Sequence, residues 1–110
     1  MKILGNGNSI FDFCIEGKVV HVDDPETMLG QIHDCIIVTK TPAPVIAILL
    51  KECIGIVSEN GGIVSHLAIV AMEMGVPAVL GVQEIWSRVA DGTTERIESK
   101  NGLGTVYEVD

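Results

Sequence analysis

Short apolar runs bounded by turn residues recur along this chain and predict buried strands. Three of these runs, at 35–38, 55–58 and 78–81, are almost continuously apolar, as in strands that are covered on both faces of a sheet. Helix-forming segments at 44–51 and 66–74 follow the first two runs, so strand and helix alternate through the middle of the chain. This alternation predicts an α/β fold with a largely parallel sheet.

The two ends of the chain follow different patterns. Residues 94–98 and 105–109 are predicted to form a hairpin across Asn101-Gly102, a dipeptide typical of tight turns between strands. Residues 1–12 are rich in Gly and Asn, and we expect them to form an irregular N-terminal segment. A β-prone stretch at 18–22 predicts one more strand before the alternating region begins.

Composition favours one compact domain spanning residues 1–110. Hydrophobic residues make up 47% of the chain and the mean hydropathy is +0.42, which is enough for a packed core. Only 4% of the residues are aromatic, so the core must be built mainly from aliphatic side chains. Such a core is typical of α/β layer structures with short strands.

The formal net charge of −8 argues against nucleic acid and anionic membranes as partners, because their phosphates would repel the chain. No apolar run approaches the roughly 20 residues that cross a bilayer. The first residues also lack the apolar run of a signal peptide. We therefore expect a cytoplasmic protein.

Three cysteines, Cys14, Cys35 and Cys53, are expected to be reduced core thiols, because they are odd in number, widely spaced and flanked by apolar residues. A zinc site that combines Cys35 with His21 and His33 is conceivable, but it lacks the close ligand pairs that zinc sites usually show. We expect both histidines at the surface and no metal in this chain.

His66 is the clearest candidate for a chemically active residue. Ser65 is a favoured helix N-cap and precedes the helix-forming segment 66–74, so His66 opens the predicted helix. Gly61 and Gly62 permit backbone conformations and close approaches that other residues resist. The N–H groups and dipole of a helix N-terminus attract anions and disfavour an imidazolium, so a nucleophilic imidazole would stand beside an anion site.

A nucleophile beside an anion site suggests phosphoryl chemistry. On these residues alone, a capped and partly buried helix with an incidental histidine is the commoner outcome for such a pattern. The choice between the two interpretations depends on the longer motif in which His66 lies.

That motif, residues 61–71 followed by 75–81, closely resembles the signature of the phosphohistidine swivelling domain of phosphoenolpyruvate-utilising enzymes. The family includes pyruvate phosphate dikinase, phosphoenolpyruvate synthase, enzyme I of the phosphotransferase system and rifampicin phosphotransferase. Shorter similarities extend over most of the chain, at 17–20, 35–38 with Thr41-Pro42, 54–57, 91–92 and 104–106.

The resemblance implies a single compact swivelling β/β/α domain with the phosphocarrier histidine at a helix N-terminus. His66 takes the phosphocarrier role, and Gly61, Gly62 and Ser65 support the phosphate site. The resemblance also implies nucleotide-binding and phosphoenolpyruvate- or pyruvate-binding partner domains, which hold ATP and magnesium, whereas this chain holds no cofactor. The chain would then be part of a phosphotransferase and not a complete enzyme, either as a separate subunit or as a module of a larger protein.

Two positions depart from the family pattern. Val64 stands where the family commonly has Thr, so a hydroxyl that is a regulatory phosphorylation site in some dikinases is missing. Met72 stands where the family commonly has Arg, which removes a cation six residues after the phosphocarrier. These departures motivate an alternative function, a non-catalytic regulatory or structural module that keeps the swivelling fold without being phosphorylated.

The helix 66–74 is apolar around most of its circumference, and only His66 and Glu73 share a polar face. We therefore expect most of this helix to be buried in its own domain. An apolar rim around His66 would remain to contact the partner domains.

Overall fold

A computed structural model describes residues 1–41 and 43–109 and shows a closed seven-stranded barrel. The strands run in the spatial order β1-β5-β4-β3-β2-β6-β7, and β7 pairs with β1 to close the barrel. In chain order they are β1 (Lys2–Ser9), β2 (Phe13–His21), β3 (Cys35–Thr39), β4 (Cys53–Ser58), β5 (Ala78–Leu80), β6 (Thr94–Lys100) and β7 (Leu103–Glu108).

The sheet is mixed. The neighbours β2–β3, β3–β4 and β4–β5 are parallel, and all other pairs are antiparallel. The predicted parallel unit in the middle of the chain is therefore present, and the domain is small, with short strands and few helices. The expectation of an α/β layer structure is too simple, because antiparallel strands from both ends of the chain close the sheet into a barrel.

The helical elements are short. They are α1 (His66–Met74), α2 (Ile85–Arg88) and two 3₁₀ helices, Pro25–Met28 and Pro44–Leu49. The segment predicted as a helix at 44–51 is thus a 3₁₀ helix, in which Ile46 N–H donates to the Ala43 carbonyl. Its β-branched residues crowd an α-helical turn, and 3₁₀ geometry is common in such short pieces. Pro42, part of the predicted Thr41-Pro42 element, lies outside the described residues.

The prediction of an irregular segment at residues 1–12 is wrong for residues 2–9, because Lys2–Ser9 forms β1. This strand pairs with β7 from Lys2 to Asn8, with a register shift after Ile3, and with β5 near its end. Tertiary pairing thus overrides the weak β-propensity of Gly and Asn. The glycines are needed for closure. A Cβ at Gly7 would overlap the carbonyl oxygen of Leu80, and a Cβ at Gly5 would lie 2.7 Å from Val82 Cγ1.

Two apolar cores lie on opposite sides of the parallel strands. One core is the barrel interior. Alternate residues such as Ile36, Val57 and Val79 fill it together with side chains from all the other strands. The intervening residues, such as Ile37 and Ile56, pack outside the barrel against α1 and the 3₁₀ helices. Because β3 is covered on both sides, all five of its residues are buried.

The predicted C-terminal hairpin is confirmed. The strands β6 and β7 pair in register from Glu95 to Lys100, and the turn residues Asn101 and Gly102 have φ angles of 53° and 82°. Positive φ at both positions is what the Asn-Gly dipeptide accommodates in a two-residue hairpin turn. In the part of the chain that the structure describes, no helix has the length and apolar character needed to cross a membrane.

Candidate functional site

A seven-residue loop, residues 59–65, connects the end of β4 to the start of α1. Ser65 has extended backbone angles, φ −73° and ψ 160°, and its Oγ accepts a hydrogen bond from Ala68 N–H at 3.2 Å. His66 is therefore the first residue of α1, at the end where backbone N–H groups lack intrahelical partners. Gly75 ends the helix with a left-handed φ of 72°.

The two glycines shape the loop in different ways. Gly61 has a φ of 100°, which residues with a Cβ rarely adopt. Its carbonyl oxygen lies close to Gly81, the residue after β5. The carbonyl of Gly62 accepts a hydrogen bond from Ser65 N–H at 2.9 Å, which closes a turn directly before the helix. The structure thus brings Gly61, Gly62, Ser65 and His66 together in one short turn.

The surroundings of His66 are exposed and apolar. His66 is itself exposed, and Val64 is 86% exposed. On α1, Ile69 and Met72 are 49% and 50% exposed, whereas Leu67 on the opposite side is 3% exposed. The expectation that most of this helix is buried is therefore wrong for its outer face. A helix that is apolar all round leaves open which side it buries, and here the outer side faces solvent.

The loop begins where the parallel strands end. Strand β3 ends at Thr39 and β4 at Ser58, and Glu59 N–H donates to the Thr39 carbonyl at 2.9 Å. The site therefore lies at the carboxyl edge of the parallel strands, where α/β sheets commonly bind ligands.

Charged and aromatic residues that the sequence pattern did not single out adjoin this loop. The carboxylate of Glu59 accepts a hydrogen bond from Trp86 N–H at 3.2 Å, at the start of α2. The ring of Trp86 stacks on His21 with a centroid separation of 4.3 Å, and Lys40 Nζ lies 5.8 Å from the Trp86 ring centroid. In the sequence, the one local feature that could have drawn attention to this region is that Glu59 and Asn60 directly precede the two glycines.

His21 is not the surface residue that the sequence suggested. It is half-buried, and its Nε2 lies 2.6 Å from the carbonyl oxygen of Val89. His33 is exposed, as expected. Within residues 1–41 and 43–109, no three His, Cys, Asp or Glu side chains come together in an arrangement that could hold a metal ion.

The cysteines are free and differ in environment. Cys35 is buried and Cys53 is partly buried, on paired positions of β3 and β4, whereas Cys14 is exposed and is not the core thiol that was expected. Burial raises the pKa of Cys35, and burial together with the neighbouring Cys35 raises the pKa of Cys53 to about 11. Both thiols are therefore poor nucleophiles at neutral pH.

The segment that carries the site has no positively charged side chain of its own, and Lys40 adjoins it from the residue after β3. Residues 52–87, which include the loop and all of α1, contain no Lys or Arg, and Lys51 and Arg88 flank this stretch. Gly81, Gln83 and Arg88 help to line a cavity of about 410 Å³ beside the first half of β1. Gly81 also lies close to the carbonyl oxygen of Gly61. Neither Ser65 nor His66 lines this cavity.

Comparisons with known proteins give a family match, longer relatives and a solved structure with a similar fold. Residues 31–102 match the family model of the PEP-utilising enzyme, mobile domain. The chain is 30% identical over 107 residues to a pyruvate kinase of Lactobacillus delbrueckii subsp. bulgaricus, covering 93% of this chain and 18% of that protein. It is 36% identical over 107 residues to a probable phosphoenolpyruvate synthase of Archaeoglobus fulgidus, covering 97% of this chain and 14% of that protein.

Among solved structures, aconitase X of Thermococcus kodakaraensis in its holo-form has the same fold, with a TM-score of 0.65 at 19% identity over 94% of this chain and 98% of that one. The chain spans less than a fifth of the length of the two relatives named above. The family match covers both the site loop and α1. This chain therefore belongs to the family of mobile domains of phosphoenolpyruvate-utilising enzymes.

Proposed function

We propose that this chain is a phosphocarrier, in which His66 shuttles a phosphoryl group between a nucleotide-binding partner and a partner that binds phosphoenolpyruvate, pyruvate or another acceptor. The observation that carries the proposal is an exposed histidine at the first position of α1, behind two glycines and a Ser cap, within a mobile domain of this family. An exposed imidazole can meet a donor and an acceptor in turn.

The chemistry needs only a neutral imidazole and a site for the phosphoryl oxygens. A lone pair on the His66 ring attacks phosphorus in line, an N–P bond forms, and the bond from phosphorus to the donor oxygen breaks. The electron pair and a proton go to the leaving group. N–H groups at the start of α1 and around Gly61-Gly62 would hold the phosphoryl oxygens. Transfer to an acceptor reverses these steps.

We place ATP and magnesium on the partner domains. The described part of this chain lacks a metal-holding cluster, and the stretch around His66 lacks the cations that bind polyphosphates. The relatives are more than five times longer than this chain, which leaves room in such proteins for separate substrate-binding domains.

The alternative of a non-catalytic binding module draws on one observation, the exposed apolar side chains of Val64, Ile69 and Met72. Exposed apolar patches often mark protein-binding surfaces. In such a module His66 would stay unmodified while the same face of α1 contacted a partner.

Intact-mass spectrometry at alkaline pH separates the two functions, because the N–P bond of phosphohistidine survives base and breaks in mild acid. The chain is incubated with phosphoenolpyruvate and a panel of phosphoenolpyruvate-binding domains from family members. We expect one phosphate on the wild type and on the control His33→Ala, which alters another exposed histidine, and none on His66→Ala. A wild type that gains no phosphate with any donor domain, or a phosphorylated His66→Ala, would contradict the proposal.

A further inference from the structure

Asn60 takes part in three hydrogen bonds in the loop that leads to His66. Its backbone N–H and its side-chain Nδ2 both donate to the carbonyl oxygen of Lys40, each at 2.9 Å. Its own carbonyl accepts a hydrogen bond from Ser58 Oγ. The backbone and the side chain of Asn60 thus both help to fix the direction in which the chain leaves β4.

The residue to which Asn60 is anchored is itself held firmly. Lys40 directly follows β3, the strand that is buried on both sides, and its ammonium group lies over the ring of Trp86. The backbone N–H of Trp86 donates a hydrogen bond to the carboxylate of Glu59, the residue that directly precedes Asn60. The Lys40 carbonyl is therefore an acceptor directly after a buried strand of the barrel, and the bonds that reach it tie the loop to that strand.

Beyond Asn60 the loop has little that could hold it. Gly61 and Gly62 follow, and a Cβ at Gly62 would meet no atom within 4 Å. Ile63 and Val64 are 55% and 86% exposed, so they contribute little packing. The Asn60 carboxamide is thus the last side-chain anchor before the Ser65 cap.

We propose that Asn60 is a positioning residue for phosphoryl transfer at His66. Its side-chain bond to Lys40, which Asn60→Ala removes, adds to the bond from its backbone N–H and restricts the Gly61-Gly62 turn to one orientation relative to the start of α1. In that orientation the backbone N–H groups and the imidazole converge on the same phosphoryl group. This inference rests on the proposed phosphocarrier function. It adds that the geometry of the site is set from β3 through Asn60, and not by the glycines alone.

The test uses a small phosphoryl donor, phosphoramidate, which requires no partner domain. In this reaction the His66 nitrogen forms an N–P bond while the P–N bond of phosphoramidate breaks, and ammonia leaves with the proton released from the ring. Labelling rates of His66, resolved by peptide mapping from those of the exposed His33, are measured against phosphoramidate concentration for the wild type, Asn60→Ala and Asn8→Ala. Asn8 is an exposed asparagine on β1 and serves as the matched control.

We expect Asn60→Ala to lower the maximal labelling rate about tenfold, since small misplacements of reacting groups cost one to two orders of magnitude in rate. The donor concentration at half-maximal rate should change less. Amide hydrogen exchange of residues 61–65 should also become faster in Asn60→Ala and stay unchanged in Asn8→Ala, while the melting temperatures of the two variants remain similar.

The possible failures are distinguishable. Equal labelling rates and equal loop exchange in Asn60→Ala and the wild type would overturn the positioning role while leaving the phosphocarrier function intact. A wild type whose His66 takes no phosphate, together with faster loop exchange in Asn60→Ala, would overturn the proposed function and retain Asn60 as the anchor of the loop.

Discussion

Glu95 and Glu108 are directly paired across β6 and β7, yet Glu95 is only 1% exposed and faces the barrel interior, whereas Glu108 is only partly buried. The Oε1 atom of Glu95 accepts a hydrogen bond from Thr93 Oγ1 at 2.9 Å. Its Oε2 atom is buried and has no hydrogen-bond partner among the described residues. Burial raises the pKa of Glu95, the charge of Glu108 raises it further, and the bond from Thr93 opposes both effects.

The raised pKa predicts a pH-dependent stability. Below the ordinary carboxyl pKa of 4.5, Glu95 is protonated in both the folded and unfolded states, so its ionisation does not lower the free energy of unfolding. As pH rises from there through the raised pKa of the folded state, the free energy of unfolding falls, because only the unfolded chain ionises readily. We expect Glu95→Gln to be more stable than the wild type at pH 8, because the neutral amide avoids the cost of burying an ionised carboxylate.

Urea unfolding at pH 4 and pH 8 measures this difference. The gain from Glu95→Gln should shrink towards zero at pH 4. The control Glu16→Gln alters an exposed carboxylate on β2 and should change stability little at either pH. A gain of the same size at both pH values would show that ionisation of Glu95 is not its cause.

Barrel closure depends on a close approach at Gly7. A Cβ at this position would overlap the Leu80 carbonyl oxygen and lie 2.9 Å from Val82 Cγ2. We expect Gly7→Ala to lower the free energy of unfolding by about 1–3 kcal/mol, as overpacking does in other cores. Gly62→Ala is the matched control, since its Cβ would enter open space, and its stability should be unchanged or slightly higher. Urea unfolding measures the stability of both variants. Equal stabilities would contradict the close approach of Gly7 to the Leu80 carbonyl.

The orientation of α1 can be tested with one pair of alanine substitutions. Leu67 is 3% exposed, so Leu67→Ala should cost about 2–5 kcal/mol of stability. Ile69 is 49% exposed, and Ala is the better helix former, so Ile69→Ala should cost less than about 1 kcal/mol. Thermal and urea unfolding give both values. A larger loss at Ile69 than at Leu67 would mean that the helix packs by its other face.

The three thiols should react unequally with iodoacetamide at pH 8. Cys14 is exposed, whereas burial raises the pKa of Cys35, and the pKa of Cys53 is about 11. Because the thiolate is the reacting form, the native protein should be alkylated at Cys14 first, and all three cysteines should react after unfolding. Peptide mass mapping identifies the modified residues, with Cys14→Ser as the control that should remain unmodified in the native state.

Features determined by neighbouring residues could be predicted from the sequence. The hairpin at Asn101-Gly102 and the boundaries of α1, from the Ser65 cap to Gly75, depend on φ preferences and capping bonds within a few positions. The family motif likewise identified the turn that contains Gly61 and His66, because the whole motif lies in one segment.

Features determined by distant pairing could not be predicted. The strand β1 has the composition of a loop and is held by β7 and β5, which lie far along the chain. A single sequence also does not show that Glu95 points into a barrel, because a charged residue in a strand is normally exposed. Glu59 and Asn60 were overlooked for the same reason, since their partners Trp86 and Lys40 are 27 and 20 residues away.

The pairing of Lys2 with Glu108 has a consequence for how the chain is made. The strand β1 is translated first, but its two neighbours in the barrel are the fifth and the seventh strands. Until β5 emerges from the ribosome, β1 has neither of these partners, and the longer pairing with β7 must wait for residues 103–108. Contacts between such distant residues form slowly. The barrel can therefore close only when translation of this segment is complete, and the nascent chain carries an open sheet edge until then.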